Sequence, residues 1–282
     1  MNAIIQHNFT SGLGDCIVAI YEYLDTAEIL YNKGFKIKLI LNLNRNSYIN
    51  DEDFFEIFNK NEFKYFNEIE FTKTPINEII SDGLTRVYTL SSPPPGSHWW
   101  DLFVSNPNYF NMDYVKIYPY QLNVIPVKRQ IFNKKIIEEY ENLKINSFLL
   151  ENFVSIYFRT FDLQDGDFLY ETYKDNILNI IKSNDTVFIC SNSFKFKNTI
   201  NKFYFKNVKI YTIPEEENYG NHFYGNKKMF NNEILLERTK FAIFDMMSLS
   251  KSSIIYHFTE WGRTSNFLFL SKINNVNIKI IT

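Results

Sequence analysis

Hydrophobic and polar positions along this chain switch between two periods almost throughout. Short β-branched and aromatic runs alternate with stretches in which apolar residues recur every three or four positions. That pattern belongs to a parallel sheet with helical crossovers. Ala3–His7 reads as the first strand, Asn8–Gly14 as a loop, and Asp15–Lys33 as a helix with Ile17, Ile20, Leu24, Ala27 and Leu30 on one face. Gly34 stops that helix and Lys36–Leu41 forms the second strand. Phe54–Phe58 and Ile76–Ile80 read as weaker helices and Arg86–Leu90 as a further strand. Pro93-Pro94-Pro95-Gly96 then excludes regular structure, because consecutive prolines lack donors and fix φ. Tyr118–Pro126 reads as a connection and Asn133–Lys144 as a helix.

The alternation becomes cleaner in the second half. Strands are expected at Phe153–Phe158, Thr186–Cys190, Val208–Ile213, Ser253–His257 and Val276–Ile281. Helices are expected between them at Tyr170–Ser183, Phe194–Phe203, Asn232–Ser250 and Thr264–Lys272. No solenoid-type repeat is present. The predicted class is therefore α/β, with two Rossmann-like domains, 1–130 and 131–282, facing a cleft. In such sheets ligands lie beyond the carboxyl ends of the strands.

Composition narrows the field. With 282 residues, 45% hydrophobic and 22% charged, the chain has a full core available and does not read as disordered. Thirty Lys and Arg against 32 Asp and Glu leave a net charge of −2, so nucleic acid and anionic membranes are disfavoured as partners. No apolar run approaches the ~20 residues of a membrane span, and Met1–His7 has no signal-type pattern. Cys16 and Cys190 are too few for a disulfide framework or zinc cluster, and a cytoplasmic location is expected. The 28 Phe and 19 Tyr read as codon bias of an AT-rich genome or as a sugar-stacking surface; composition does not separate the two.

Three constellations stand at strand ends. Gly12-Leu13-Gly14-Asp15 lies between the first strand and helix, where glycines admit a ligand and a helix N-terminus favours an anion. Asp15 either charges that first turn or faces the cleft as a proton acceptor. Next, Val154–Phe158 runs into Arg159 and Asp162, a phosphate clamp with an orienting carboxylate or else a surface ion pair. Asp165, Asp167 and Glu171 follow as weaker candidate bases, with Asp165-Gly166-Asp167 read as a loop rather than a metal site. Finally, Asp245 sits in an otherwise apolar helix, and Thr259, Glu260, Arg263, Thr264 and Ser265 gather before the next one. The four histidines are scattered, and His98 beside Trp99-Trp100 reads as an aromatic anchor or as part of an acceptor pocket.

In this order the three segments resemble the GT-B glycosyltransferases of the fucosyltransferase superfamily. The matching residues are Gly12-Leu13-Gly14-Asp15, then Tyr157-Phe158-Arg159-Thr160-Phe161-Asp162, then Asp245 with Leu249-Ser250, Ile254-Ile255 and Phe258-Thr259-Glu260. The family pattern has histidine at Tyr157 and a second arginine at Thr160, and its spacing after Asp245 is about two residues longer. The resemblance implies that Arg159 holds the donor β-phosphate and that Asp245 and Thr259 contact nucleoside and phosphates. The N-terminal loop is also similar to that of heptosyltransferases, which implies Asp15 as the base.

An inverting, metal-independent transfer follows from the resemblance. A sugar, with fucose one candidate, moves from a nucleotide-diphospho-sugar to a glycan or other hydroxyl acceptor. Asp15 and Arg159 are the expected catalytic pair, and Gly12, Gly14, Asp162, Asp245, Thr259, Glu260 and Arg263 join Arg159 at the donor. No cofactor or metal is expected beyond the substrate, for which a GDP-sugar is favoured. The 1–130 domain would be the acceptor side and 131–282 the donor side. The alternatives are a nucleotide- or glycan-binding module with a decayed active site, and a viral glycosyltransferase acting on nucleic acid.

Overall fold

The computed structural model describes residues 2–9, 12–43, 48–73, 85–91, 114–117, 128–143, 152–158, 166–191, 194–201, 209–211, 232–259 and 265–282. The expected helix at Ile76–Ile80 and the Pro93–Trp100 stretch lie outside them. The chain divides into two compact units, Met1–Ile136 with Lys227–Asn232, and Ile137–Asn226 with Glu233–Thr282.

The first unit is built on β1 (Asn2–Asn8), β2 (Lys36–Asn42), β3 (Glu68–Phe71), β4 (Thr85–Ser91) and β5 (Tyr114–Ile117). Every pairing is parallel, in the order β3-β2-β1-β4-β5. β1 is the central strand, so residues on both its faces, Ala3, Ile5, Gln6 and His7, are buried. Helix α1 (Leu13–Asn32) follows β1, and its first three turns are buried nearly all round. Its end needs a left-handed residue: Gly34 takes φ 81°, and its N–H closes on the Tyr31 carbonyl at 2.8 Å. Helix α2 (Phe54–Ile57) and a 3₁₀ turn at Lys60–Phe63 complete the described part of this unit. Their Phe54, Phe55, Phe58 and Phe63 pack edge-on or tilted at centroid distances of 4.8–5.6 Å.

The segment leaving this unit is tied back onto α1. Arg129 donates to Asp25 through Nε at 2.9 Å and Nη2 at 2.7 Å, reaches Glu28, and stands 3.6 Å from Glu62. The Tyr21 hydroxyl donates to the Arg129 carbonyl at 3.1 Å. Arg129 is nearly covered while its acids remain partly wet, so the cluster is worth less than a fully buried pair. Arg129→Ala should cost about 2 kcal/mol in urea denaturation. An unchanged midpoint would reduce the cluster to solvated surface charge.

The second unit opens within α3 (Lys134–Asn142), whose start, still in the first unit, is capped by the Asn133 side chain accepting from the Lys135 N–H at 3.0 Å. It continues through β6 (Val154–Phe158), α4 (Gly166–Lys182), β7 (Thr186–Ser191), α5 (Phe194–Asn201) and β8 (Lys209–Tyr211). It ends with α6 (Asn232–Leu249), β9 (Ile254–Phe258), α7 (Phe269–Ile273) and β10 (Asn277–Ile281). The strands are again all parallel, in the order β10-β9-β6-β7-β8. Counted from β6, this is the same 3-2-1-4-5 winding as the first sheet, read from the other edge. β6 and β7 are buried at every position, as befits inner strands covered on both faces.

One face of this sheet carries Val154, Ile156, Phe158, Val187, Ile189 and Phe258 against Tyr170, Ile177 and Ile181 of α4 and Phe196 and Ile200 of α5. Each fully buried Ile or Phe contributes ~1.5–3 kcal/mol, so this cluster fixes how α4 and α5 sit. The crossover through α6 runs back over the sheet in the opposite direction, and right-handedness puts it on the other face. Ser252, just past α6, shares a hydrogen bond with Ser155, whose side chain points to that second face.

Candidate functional site

A doubly wound sheet opens a crevice where its strand order reverses, outside the carboxyl ends of the two strands that flank the reversal. Here those strands are β1 and β4 in the first unit and β6 and β9 in the second. The three constellations all belong to these positions. Gly12–Asp15 follows β1, Arg159 is the residue after β6, and Thr259 is the residue after β9.

In the first unit Gly12 is the N-cap of α1, with φ −68° and ψ 168°. Any residue adopts those angles, and a Cβ there would meet nothing within 4 Å. Neither backbone strain nor packing therefore asks for glycine, which leaves an open approach to the backbone at the start of a twenty-residue helix. Gly12 has no side chain to cap the first turn, and Asp15 supplies the acid there. Asp15 is half-buried and Gly14 fully so. The expected loop Asn8–Gly14 is shorter than the pattern suggests, because α1 already begins at Leu13 and Gly14 is helical. His7 is buried in β1, edge-on to Phe9 at 4.2 Å.

In the second unit Thr259 is buried at the end of β9, its N–H donating to the Ile281 carbonyl at 3.2 Å. Arg159, Asp162, Glu260 and Arg263 lie outside the described residues. The expected helix Thr264–Lys272 is instead a 3₁₀ turn, Asn266–Leu268, followed by the five residues of α7. Ser265 sets that start by accepting from the Phe267 N–H at 3.2 Å. So short an element adds little dipole, and its N-terminus is no diphosphate seat by itself. The loop expected at Asp165-Gly166-Asp167 is corrected as well: α4 starts at Gly166, which places Asp167 in its first turn. Glu171 is exposed and pairs with Lys174 at 3.5 Å, a surface contact of the solvated face.

Tyr157, where the resembling family has histidine, belongs to the core. Its ring stacks with His257, its cross-strand partner, at 4.9 Å and with Phe267 at 5.6 Å, and its hydroxyl donates to Ser265 at 3.4 Å. It anchors the segment after β9.

Asp245 has a counter-ion that sequence reading missed. Lys197 of α5 places Nζ 3.7 Å from the Asp245 carboxylate, with both side chains almost fully buried. Phe196, the residue before, stacks on Phe158 at 4.2 Å, and Phe158 is the last residue of β6. The pair therefore stands near the carboxyl end of β6, the strand that Arg159 follows. A buried acid in an apolar helix announces the need for a cation, but nothing in the spacing says which lysine provides it. Among the described residues no group of three His, Cys, Asp or Glu side chains is arranged to hold a metal. Nor is any helix among them long and apolar enough to cross a membrane.

Two parallel sheets, each wound in the order 3-2-1-4-5, define a doubly wound α/β protein. Across its whole length the chain is similar in structure to NodZ fucosyltransferases. With NodZ α-1,6-fucosyltransferase soaked with GDP-fucose the TM-score is 0.53 at 12% identity, covering 99% of this chain and 94% of that one. With fucosyltransferase NodZ from Bradyrhizobium, in a selenomethionine form, it is 0.56 at 11% identity, covering 96% and 92%. With NodZ α-1,6-fucosyltransferase co-crystallised with GDP it is 0.51 at 12% identity, again covering 96% and 92%. No protein-family model matches the chain, and no curated protein matches it in sequence. The chain thus has the fold of these fucosyltransferases, the GT-B fold that the motif resemblance implies.

Proposed function

We propose that this protein is a glycosyltransferase of inverting type that needs no metal. It takes a sugar from a nucleotide-diphospho-sugar, a GDP-sugar first among them, and gives it to a hydroxyl of a glycan or smaller acceptor. The observation that carries this reading is positional. In a chain with a fucosyltransferase fold, the residues matching the family motifs follow the strands at the two switch points. Solved structures of similar fold have been studied with GDP-fucose and with GDP, which supports a guanine nucleotide donor.

The roles follow from chemistry. The second unit, with Arg159, Asp162, Asp245, Thr259, Glu260 and Arg263, is the donor side; the first unit is the acceptor side and carries Asp15, while its Gly12 and Gly14 give their backbone to the donor. Asp15 takes the proton of the attacking hydroxyl. As the bond to the anomeric carbon breaks, charge grows on the departing diphosphate, and the Arg159 guanidinium stabilises it electrostatically. The reaction takes place in the cytoplasm.

Arg159 tests the reading. In a panel of GDP-, UDP-, ADP- and dTDP-sugars, the parent should turn over one donor, and Arg159→Ala should lose about one to two powers of ten in affinity for it. Arg159→Lys should recover only part, since an ammonium does not reproduce the planar fork. Binding without turnover in the parent would select a module with a decayed site. Parent-like binding in both variants would remove Arg159 from the donor site.

A further inference from the structure

We infer that Lys197 is a positioning residue of the donor site, whose ammonium keeps the Asp245 carboxylate ionised and aimed at the nucleoside. The inference rests on the reading of the second unit as the donor side. Its foundation is where the pair stands. α5 and α6 cover opposite faces of the second sheet, so side chains from the two meet only around the sheet's margin. The Phe196–Phe158 stack puts the first turn of α5 at the end of an inner strand, β6, which makes that margin the carboxyl rim. The ion pair thus lies on the side of the sheet that receives ligands.

Energetics point the same way. A buried ion pair adds little stability compared with a well-packed apolar pair of similar volume. At 3.7 Å this one is longer than the ~2.7–2.9 Å of a charge-assisted hydrogen bond, which is a loose arrangement for a structural staple. What the lysine does provide is the charge state of the acid. Deprived of a cation, a carboxylate this deeply buried would take up a proton. It would then no longer accept two hydrogen bonds from adjacent N–H or O–H groups, the kind of donor pair that a nucleoside presents on its base edge or ribose. The other charged groups on these elements are placed differently. Lys240 of α6 is engaged by Glu139 and Glu237, and Arg238 is buried on the same helix almost two turns before Asp245. The Tyr140 hydroxyl of α3, bonded to Ser248, feels the Asp245 charge without supplying a cation.

The test is calorimetric titration with whichever of GDP, UDP, ADP or dTDP the parent binds best, together with steady-state kinetics on the matching nucleotide sugar. Lys197→Met should weaken nucleotide binding and raise the donor KM at least about tenfold, with a smaller change in kcat. Lys197→Arg, which keeps the charge, should stay within about threefold of the parent. The double variant Lys197→Met with Asp245→Asn leaves no charge buried alone, so its melting temperature should stay within about 3 °C of the parent's. It should nevertheless bind nucleotide as weakly as Lys197→Met. Parent-like affinity in either Met-containing variant would make the pair purely structural and overturn the inference, while leaving the glycosyltransferase reading intact. A parent that binds none of the four nucleotides would overturn that reading and this inference together.

Discussion

Asp15→Asn should lower turnover about 10²–10⁴-fold while donor affinity stays near the parent value. Asn is isosteric with Asp but does not accept a proton at neutral pH, and in the proposed mechanism the acid serves the acceptor hydroxyl rather than the diphosphate. The competing role for Asp15 is structural, because an acid in the first turn of α1 complements the helix dipole and Gly12 offers no side chain to share that task. That role is worth only ~0.3–1 kcal/mol, so it predicts a small loss of stability and unchanged turnover. The two roles therefore separate in one pair of measurements, initial rates at saturating donor and a melting curve. Glu171→Gln is the control: its exposed carboxylate pairs with Lys174 on the surface, and the variant should turn over like the parent. Parent-like rates in Asp15→Asn would move the base to the acids that follow Arg159, starting with Asp165 and Asp167.

How far the sequence carries depends on how much of each element is buried. β6 and β7 are covered at every position and show as largely apolar runs, and α6 is legible to within a residue at each end. β3 and β5 escape notice, since each has four residues at the edge of the sheet and Glu68-Ile69-Glu70-Phe71 resembles an ordinary amphipathic loop. Helix ends are offset wherever the chain offers two starts: α1 takes in Leu13 and Gly14, and α4 begins at Gly166 despite the flexibility of glycine. The positions of the motif residues at strand ends can be read because they follow from chain order alone. The Lys197–Asp245 pair cannot, because its members lie on different helices far apart in the chain and only the crossover of α6 brings them together. Tyr157 shows the reverse. A motif comparison singles it out as a departure, whereas the folded chain uses it as a core aromatic bonded to Ser265.

Glu22 should make the stability of this protein fall as pH rises from about 4.5 to about 8. It lies in α1, buried, with Oε2 lacking a hydrogen-bond partner. Burial, reinforced by the nearby Asp25 charge, pushes its carboxyl from the ordinary 4.5 up to about 8. Below pH 4.5 the group is protonated in both folded and unfolded chains and costs nothing. Between 4.5 and 8 the unfolded chain gives up the proton while the folded chain keeps it, so unfolding gains by as much as about 1.4 kcal/mol per pH unit. Above 8 the folded form ionises as well and the loss levels off. Glu22→Gln removes the titrating group while keeping its shape, so it should match the parent near pH 4.5 and exceed it by a few kcal/mol at about pH 8. Urea denaturation of both proteins at about pH 5, 6.5 and 8 reads this directly, and parallel stability curves would sink the assignment. A pKa near neutrality is also what a general base needs, yet Glu22 does not compete with Asp15 for that part. The two stand two turns apart on one face of α1, about 10 Å along its axis, so Glu22 lies well inside the unit and away from the strand ends where a ligand binds. Glu22→Gln should accordingly leave turnover unchanged at about pH 6.5, where the folded parent already carries a neutral Glu22.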